Sequence, residues 1–125
     1  MKVWVNGTFD VLHYGHISLL KFASLLGDVR VGIDSDERVK KFKGTERPIN
    51  TLENRMTLID SLKYVRDVVS YGSDEELLSR IRDYSPDYIV VGAEYIDRVI
   101  GGDMAQIIYF GRIKNYSSTE IIKKK

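Results

Sequence analysis

His13 and His16 are the only two histidines in the chain, and they stand three positions apart just after the run Gly7-Thr8-Phe9-Asp10, with Gly15 between them. If a helix begins near His13, that spacing puts both imidazoles on one face, where they can converge on a single anion. Gly7 and Gly15 fit a turn in which the backbone approaches a phosphate, and the helix start adds free amide donors. A lone histidine is more often a satisfied structural residue. Two at one junction suit an in-line phosphoryl-type transfer, which needs positioning and charge stabilisation in the transition state more than covalent chemistry. A covalent enzyme intermediate has no obvious carrier, because the chain has no cysteine and no serine sits beside a histidine in a nucleophile turn.

The elements that must position this pair follow from periodicity. Short β-branched runs at residues 3–6, 29–34, 67–71, 88–92 and 107–110 alternate with segments of helical period. Helices are expected over residues 16–26, stopping at Gly27; from an Asn50 or Thr51 cap through Leu52, Met56, Ile59 and Leu62; after Ser73, ending before Pro86; and from Ser117–Ser118 onward. Near-continuous apolar strands such as Tyr88-Ile89-Val90-Val91 suit a parallel sheet covered on both faces. The expected fold is α/β: a doubly wound, Rossmann-like, five-stranded parallel sheet with helices on both faces, in one domain over residues 1–125. Residues 39–50 and 94–104 look most irregular, and binding function is expected there.

Composition narrows the class. A length of 125 residues fits one compact domain, and a net charge of +1 argues against nonspecific nucleic-acid binding. The absence of cysteine removes disulfides and thiolate metal sites. With no apolar stretch of membrane-spanning length and no signal-like start, the expected home is the cytoplasm.

The stretch Gly7-Thr8-Phe9-Asp10 followed by His13-x-Gly15-His16 resembles the cytidylyltransferase-like nucleotidyltransferases, whose marks are GTFD and HxGH. Arg47-Pro48-Ile49-Asn50 and Leu52-Glu53-Asn54-Arg55-Met56 are similar to the adenylyltransferase domain of bifunctional heptose-phosphate enzymes. Residues 112–119 resemble the RTxGISTT signature of glycerol-3-phosphate cytidylyltransferases: Arg112, Ser117 and Thr119 agree, while Asn115, Tyr116 and Ser118 replace its Gly, Ile and first Thr after Ser, so that the turn survives in kind.

The resemblance implies roles for these residues. His13 and His16 stabilise the α-phosphate; Gly7, Thr8 and the Phe9 amide contact the nucleotide phosphates; Asp10 supports the loop, the metal or the acceptor. Ser117, Ser118 and Thr119 hold the β- and γ-phosphates, and Arg55 and Arg112 contact the triphosphate. Lys41 and Lys43 take phosphate from the acceptor or the NTP, while Gly92, Ala93, Glu94 and Tyr95 wall the base and ribose. Mg²⁺ is the implied cofactor, held mainly by substrate phosphates rather than by a dedicated protein site. The implied reaction transfers a nucleoside monophosphate from CTP or ATP to a phosphorylated small molecule, releasing pyrophosphate. CMP transfer to a polyol phosphate such as glycerol 3-phosphate is favoured on Arg112, with AMP transfer to a heptose or other sugar phosphate as the alternative. A non-catalytic nucleotide-binding regulatory module is the third reading. A homodimer is expected, with Trp4, Tyr14 and Tyr64 available to an interface or a core.

Overall fold

The computed structural model describes residues 1–92 and 100–111. Its elements run β1 (Lys2–Gly7), α1 (Tyr14–Leu26), β2 (Asp28–Asp34), α2 (Asp36–Lys43), α3 (Leu52–Asp60), β3 (Asp67–Tyr71), α4 (Asp74–Tyr84), β4 (Tyr88–Gly92) and β5 (Gln106–Phe110). The strands form one sheet in the order β3-β2-β1-β4-β5, every pair parallel, as the apolar runs predict.

Alternation along each strand builds two cores. Val3, Val5, Val29, Val31 and Ile33 point to one face, where they meet Leu20 and Ala23 of α1 and Ile59 of α3. Trp4, Tyr71 and Ile89 point to the other, against Leu77, Ile81 and Tyr84 of α4. Trp4 is fully buried and belongs to this second core, whereas Tyr14 is 85% exposed. β1 and β2 are neighbours, and the chain returns from β3 at the sheet edge to place β4 on the other side of β1. The reversal of strand order puts the crevice of an open α/β sheet above the carboxyl ends of β1 and β4.

The helix starts carry the expected caps: Thr51 accepts from Asn54 N at α3, and Ser73 from Glu76 N at α4. α4 ends at Ser85, left-handed at φ 52°, one residue before Pro86. One expectation fails. Residues 39–43 are not irregular but the second half of α2, which Ser35 caps, with Asp36 and Glu37 in the first turn and Lys40, Lys41 and Lys43 in the last. Those charges complement the helix dipole at both ends, and only Val39 of the helix is buried. Among the described residues no helix is long and apolar enough to cross a membrane.

Candidate active site

The turn after β1 is shaped around an aromatic ring. Phe9 adopts φ 52° and is buried, and its ring meets the His16 ring edge-on with centroids 5.2 Å apart. The same ring covers Gly7 so closely that a Cβ there would lie 3.0 Å from it, which excludes larger residues without a shift of the ring.

His13 is the N-cap of α1 rather than its first helical residue. Its backbone is extended, and its Nδ1 accepts from Gly15 N at 3.0 Å. Gly15 makes this possible, because a Cβ at that position would sit 2.9 Å from the His13 ring. His16 answers in the opposite direction: its Nδ1 accepts from His13 N at 3.2 Å. Two histidines thus build a capping box, and their rings stack with centroids 3.9 Å apart. Because each Nδ1 accepts an amide proton, a neutral ring at either position carries its own proton on Nε2, on the far side from the backbone. Burial, then the charges of His13 and Lys43, push the His16 pKa below its ordinary value of 6.5, which favours the neutral ring. The arrangement offers two N–H donors side by side at a helix N-terminus.

Asp10 holds the loop that faces this turn. Its carboxylate accepts from Ile49 N and Asn50 N, each at 2.8 Å, and from Arg47 Nη1 at 3.3 Å, while the Asn50 side-chain amide donates to the Asp10 carbonyl. Burial would raise the Asp10 carboxyl, but the Asn50 and Ile49 amides and Arg47 outweigh it and hold the pKa below the usual carboxylate value. Of the roles expected for Asp10, loop support is the one this geometry fits. Both carboxylate oxygens are engaged, so direct contact with acceptor or metal is not the arrangement seen.

Arg55 requires a correction too. It is fully buried, and its guanidinium is turned inward: Nε donates to Asn50 O at 3.0 Å, Nη1 to Thr8 O and Asp34 O at 3.0 and 2.9 Å, and Nη2 to Asp36 Oδ1 at 2.7 Å. Expected as a triphosphate contact, Arg55 instead ties the β1 turn, the end of β2, the start of α2 and the loop before α3 into one floor. The Thr8 hydroxyl likewise points inward, donating to Asp34 Oδ2 at 3.3 Å.

Lys41 and Lys43 lie exposed in the last turn of α2. The charge of Lys43 acts on His16, which places it within electrostatic reach of the histidine pair. Lys41 has its ammonium 5.6 Å from the Phe42 ring. Gly92 ends β4 on the same carboxyl-end side of the sheet as Gly7 ends β1. Glu94, Arg112, Ser117, Ser118 and Thr119, with Ala93 and Tyr95, lie outside the described residues. The sequence assigns no site role to Arg47, Asp34 or Asp36, and offers Asn50 only as a helix cap. The charge complement of Asp10 and Arg47 was the one available signal, and nothing local paired them.

A histidine capping box beside a glycine turn, at the crevice of a parallel sheet, is the setting in which family membership can be judged. The sequence model of the cytidylyltransferase-like family matches residues 4–124. The chain belongs to the cytidylyltransferase-like family. Its curated relatives are bifunctional HldE proteins. It is 40% identical over 124 residues to the bifunctional protein HldE of Helicobacter hepaticus and 38% identical over 131 residues to that of Pseudomonas savastanoi pv. phaseolicola. These matches cover 97% and 98% of this chain but only 26% and 27% of the relatives, so the chain spans about a quarter of their length. Among solved structures, a lipopolysaccharide core biosynthesis protein from Thermoplasma volcanium superposes with a TM-score of 0.75 at 24% identity, over 90% of this chain and 98% of its own. A pantoate-beta-alanine ligase from Francisella tularensis follows with a TM-score of 0.60 at 20% identity, over 97% of this chain and 67% of its own. At such identities the cytidylyltransferase-like chain shares a fold with these two, and the likeness carries no more than that.

Proposed function

We propose that this chain transfers AMP from ATP to the phosphate of a sugar phosphate and releases pyrophosphate. The observation that carries nucleotidyl transfer is the stacked His13–His16 pair, which turns two Nε2 donors away from the backbone at the start of α1. A triphosphate whose α-phosphorus sits there meets both donors and the positive end of the helix dipole. An acceptor phosphate oxygen, already unprotonated, attacks the α-phosphorus in line. The bond to the bridging oxygen of the β-phosphate breaks, and pyrophosphate leaves with the electron pair. Neutral imidazoles suffice, because hydrogen bonds that tighten as charge builds on the equatorial oxygens stabilise the transition state without moving a proton. Lys43, and Lys41 on the same turn, supply positive charge for the acceptor phosphate; Arg112, Ser117, Ser118 and Thr119 are assigned to the departing β- and γ-phosphates.

Mg²⁺ belongs to this proposal as a cofactor of the substrate. Among the described residues no three histidines, aspartates or glutamates converge on one point. Asp10, the nearest carboxylate in the turn, is saturated by the loop it holds. A cation carried by the triphosphate fits this donor set, and its chemistry is to neutralise the leaving pyrophosphate.

AMP is preferred over CMP on the likeness of residues 47–56 to the adenylyltransferase domain of bifunctional heptose-phosphate enzymes, with which 38–40% identity to bifunctional HldE proteins is in keeping. The reading as CMP transfer to glycerol 3-phosphate rests on Arg112 and its neighbours, and none of these relatives adds support to it. A pyrophosphate-release assay crossing ATP, CTP, GTP and UTP with hexose and heptose phosphates and glycerol 3-phosphate tests the choice. The expected best pair is ATP with a sugar phosphate; preference for CTP with glycerol 3-phosphate would reverse it, and no release with any pair would favour a regulatory nucleotide-binding module.

A further inference from the structure

Three carboxylates stand on the floor of the site, and two are saturated or paired: Asp10 by two amides and Arg47, Asp36 by Arg55 at 2.7 Å. Asp34, at the carboxyl end of β2, differs. Its Oδ1 is buried with no hydrogen-bond partner among the described residues, and beyond its own main-chain amide the carboxylate takes from other residues only the Thr8 hydroxyl, on Oδ2, at a distance of 3.3 Å that is long for an O–H···O bond. Arg55 approaches Oδ1 to 3.7 Å, but the same nitrogen donates to the carbonyls of Thr8 and Asp34. A buried acceptor left this far short of donors is normally paired or removed, and the side chain keeps 13% of its surface open.

We propose that Asp34 is a specificity-determining residue that accepts a hydrogen bond from a hydroxyl of the phosphorylated acceptor, which makes the acceptor a polyhydroxylated phosphate; this rests on the nucleotidyl transfer proposed above. Placement and sign argue for it. The triphosphate occupies the α1 start and the β1–β4 crevice, whereas β2 lies on the opposite side of β1, toward α2 and its lysines. A carboxylate repels phosphate, so what Asp34 receives must be a donor. Arg55 and Arg38 already act on Asp34 with positive charge, so a neutral hydroxyl adds a donor without crowding in a third cation, as an ammonium would. The weak bond from Thr8 is easily exchanged for a ligand hydroxyl. Burial also raises the Asp34 pKa, so the folded protein bears a penalty for keeping this group ionised near neutral pH.

The test uses Asp34→Ala and Asp34→Asn in the full chain, with steady-state kinetics on hexose 1-phosphates, their single-deoxy analogues, glycerol 3-phosphate, ethanolamine phosphate and ethyl phosphate. Expected for Asp34→Ala is a rise of about tenfold or more in the KM for the hydroxylated acceptor, with the KM for ATP unchanged. In the unsubstituted protein one deoxy analogue should lose about tenfold in kcat/KM, and in Asp34→Ala that analogue and its parent should become equal. Asp34→Asn, relieved of a buried charge that is short of hydrogen-bond donors, should melt no lower than the unsubstituted protein, a result a purely structural carboxylate would not produce. Unchanged acceptor KM and unchanged hydroxyl preference in Asp34→Ala would overturn the inference. So would a change confined to the KM for ATP, which would assign Asp34 to the ribose, or a preference for ethanolamine phosphate. Absence of pyrophosphate release from the unsubstituted protein with every acceptor would instead overturn the underlying reading, and this inference with it.

Discussion

His16 accepts the main-chain amide of His13 through Nδ1, at 3.2 Å, while the two rings stack at 3.9 Å. One pair of side chains therefore both closes the start of α1 and presents the Nε2 donors, and the two duties can be separated. His13→Ala should lower kcat at least about a hundredfold, the scale of losing one transition-state donor, and destabilise the fold by about 1 kcal/mol through the lost cap. His13→Asn should restore the stability, since asparagine caps well, without restoring kcat. Recovery of turnover in His13→Asn would reduce His13 to a cap.

His16 also sets a pH dependence. Its folded pKa lies below the ordinary 6.5, so between those values the unfolded chain binds more protons than the folded one. Stability then rises with pH across that window and is lost as pH falls below about 6.5. Melting temperatures measured between pH 7.5 and 5 should fall on the acid side, and His16→Asn should flatten that part of the curve. An NMR titration placing the His16 midpoint at or above 6.5 would contradict the neutral donor.

Removing the guanidinium of Arg55 should be severe, because it would strand Asp36, Asp34 and three carbonyls in the floor of the site. Arg55→Ala is expected to lower the unfolding free energy by about 3–5 kcal/mol in urea titration. Arg55→Lys should lose less, keeping charge but not the planar fork. A loss below about 1 kcal/mol on the alanine substitution would be incompatible with a central role in the floor.

Chelation separates chemistry from binding. With EDTA in excess, pyrophosphate release should stop while calorimetry still detects the sugar phosphate, whose proposed contacts are Lys41, Lys43 and Asp34 rather than a metal. Full turnover in chelator would mean that protein cations alone manage the leaving group.

The strands were legible because each is a run of β-branched or aromatic residues between polar stops, and the observed bounds extend the expected ones by a residue or less at each end. α2 was not, because Asp36–Lys43 buries a single residue, Val39, and so has no apolar period; its cap and its end charges were the readable signs. The same contrast divides the site. GTFD and HxGH lie within ten residues of one another and their spacing alone places the donors. The Asp10 contacts to Arg47, Ile49 and Asn50 span 37, 39 and 40 residues, and the inward turn of Arg55 depends on the carbonyls of Thr8 and Asp34, 47 and 21 residues away. No local pattern distinguishes an arginine that will face phosphate from one that will be buried.

Most of what Arg55 grips is main chain: it meets Thr8, Asp34 and Asn50 through carbonyl oxygens, and only Asp36 through a side chain. A clasp that reads backbone position is indifferent to which residue supplies the carbonyl. Thr8 and Asp34 can thus be exchanged for other residues while the scaffold beneath them stays shut, which decouples the choice of substrate from the integrity of the fold. Lineages built on this plan have room to drift from one phosphorylated acceptor to another by changing side chains at β-strand ends, and a designer seeking a new acceptor would begin with the same positions.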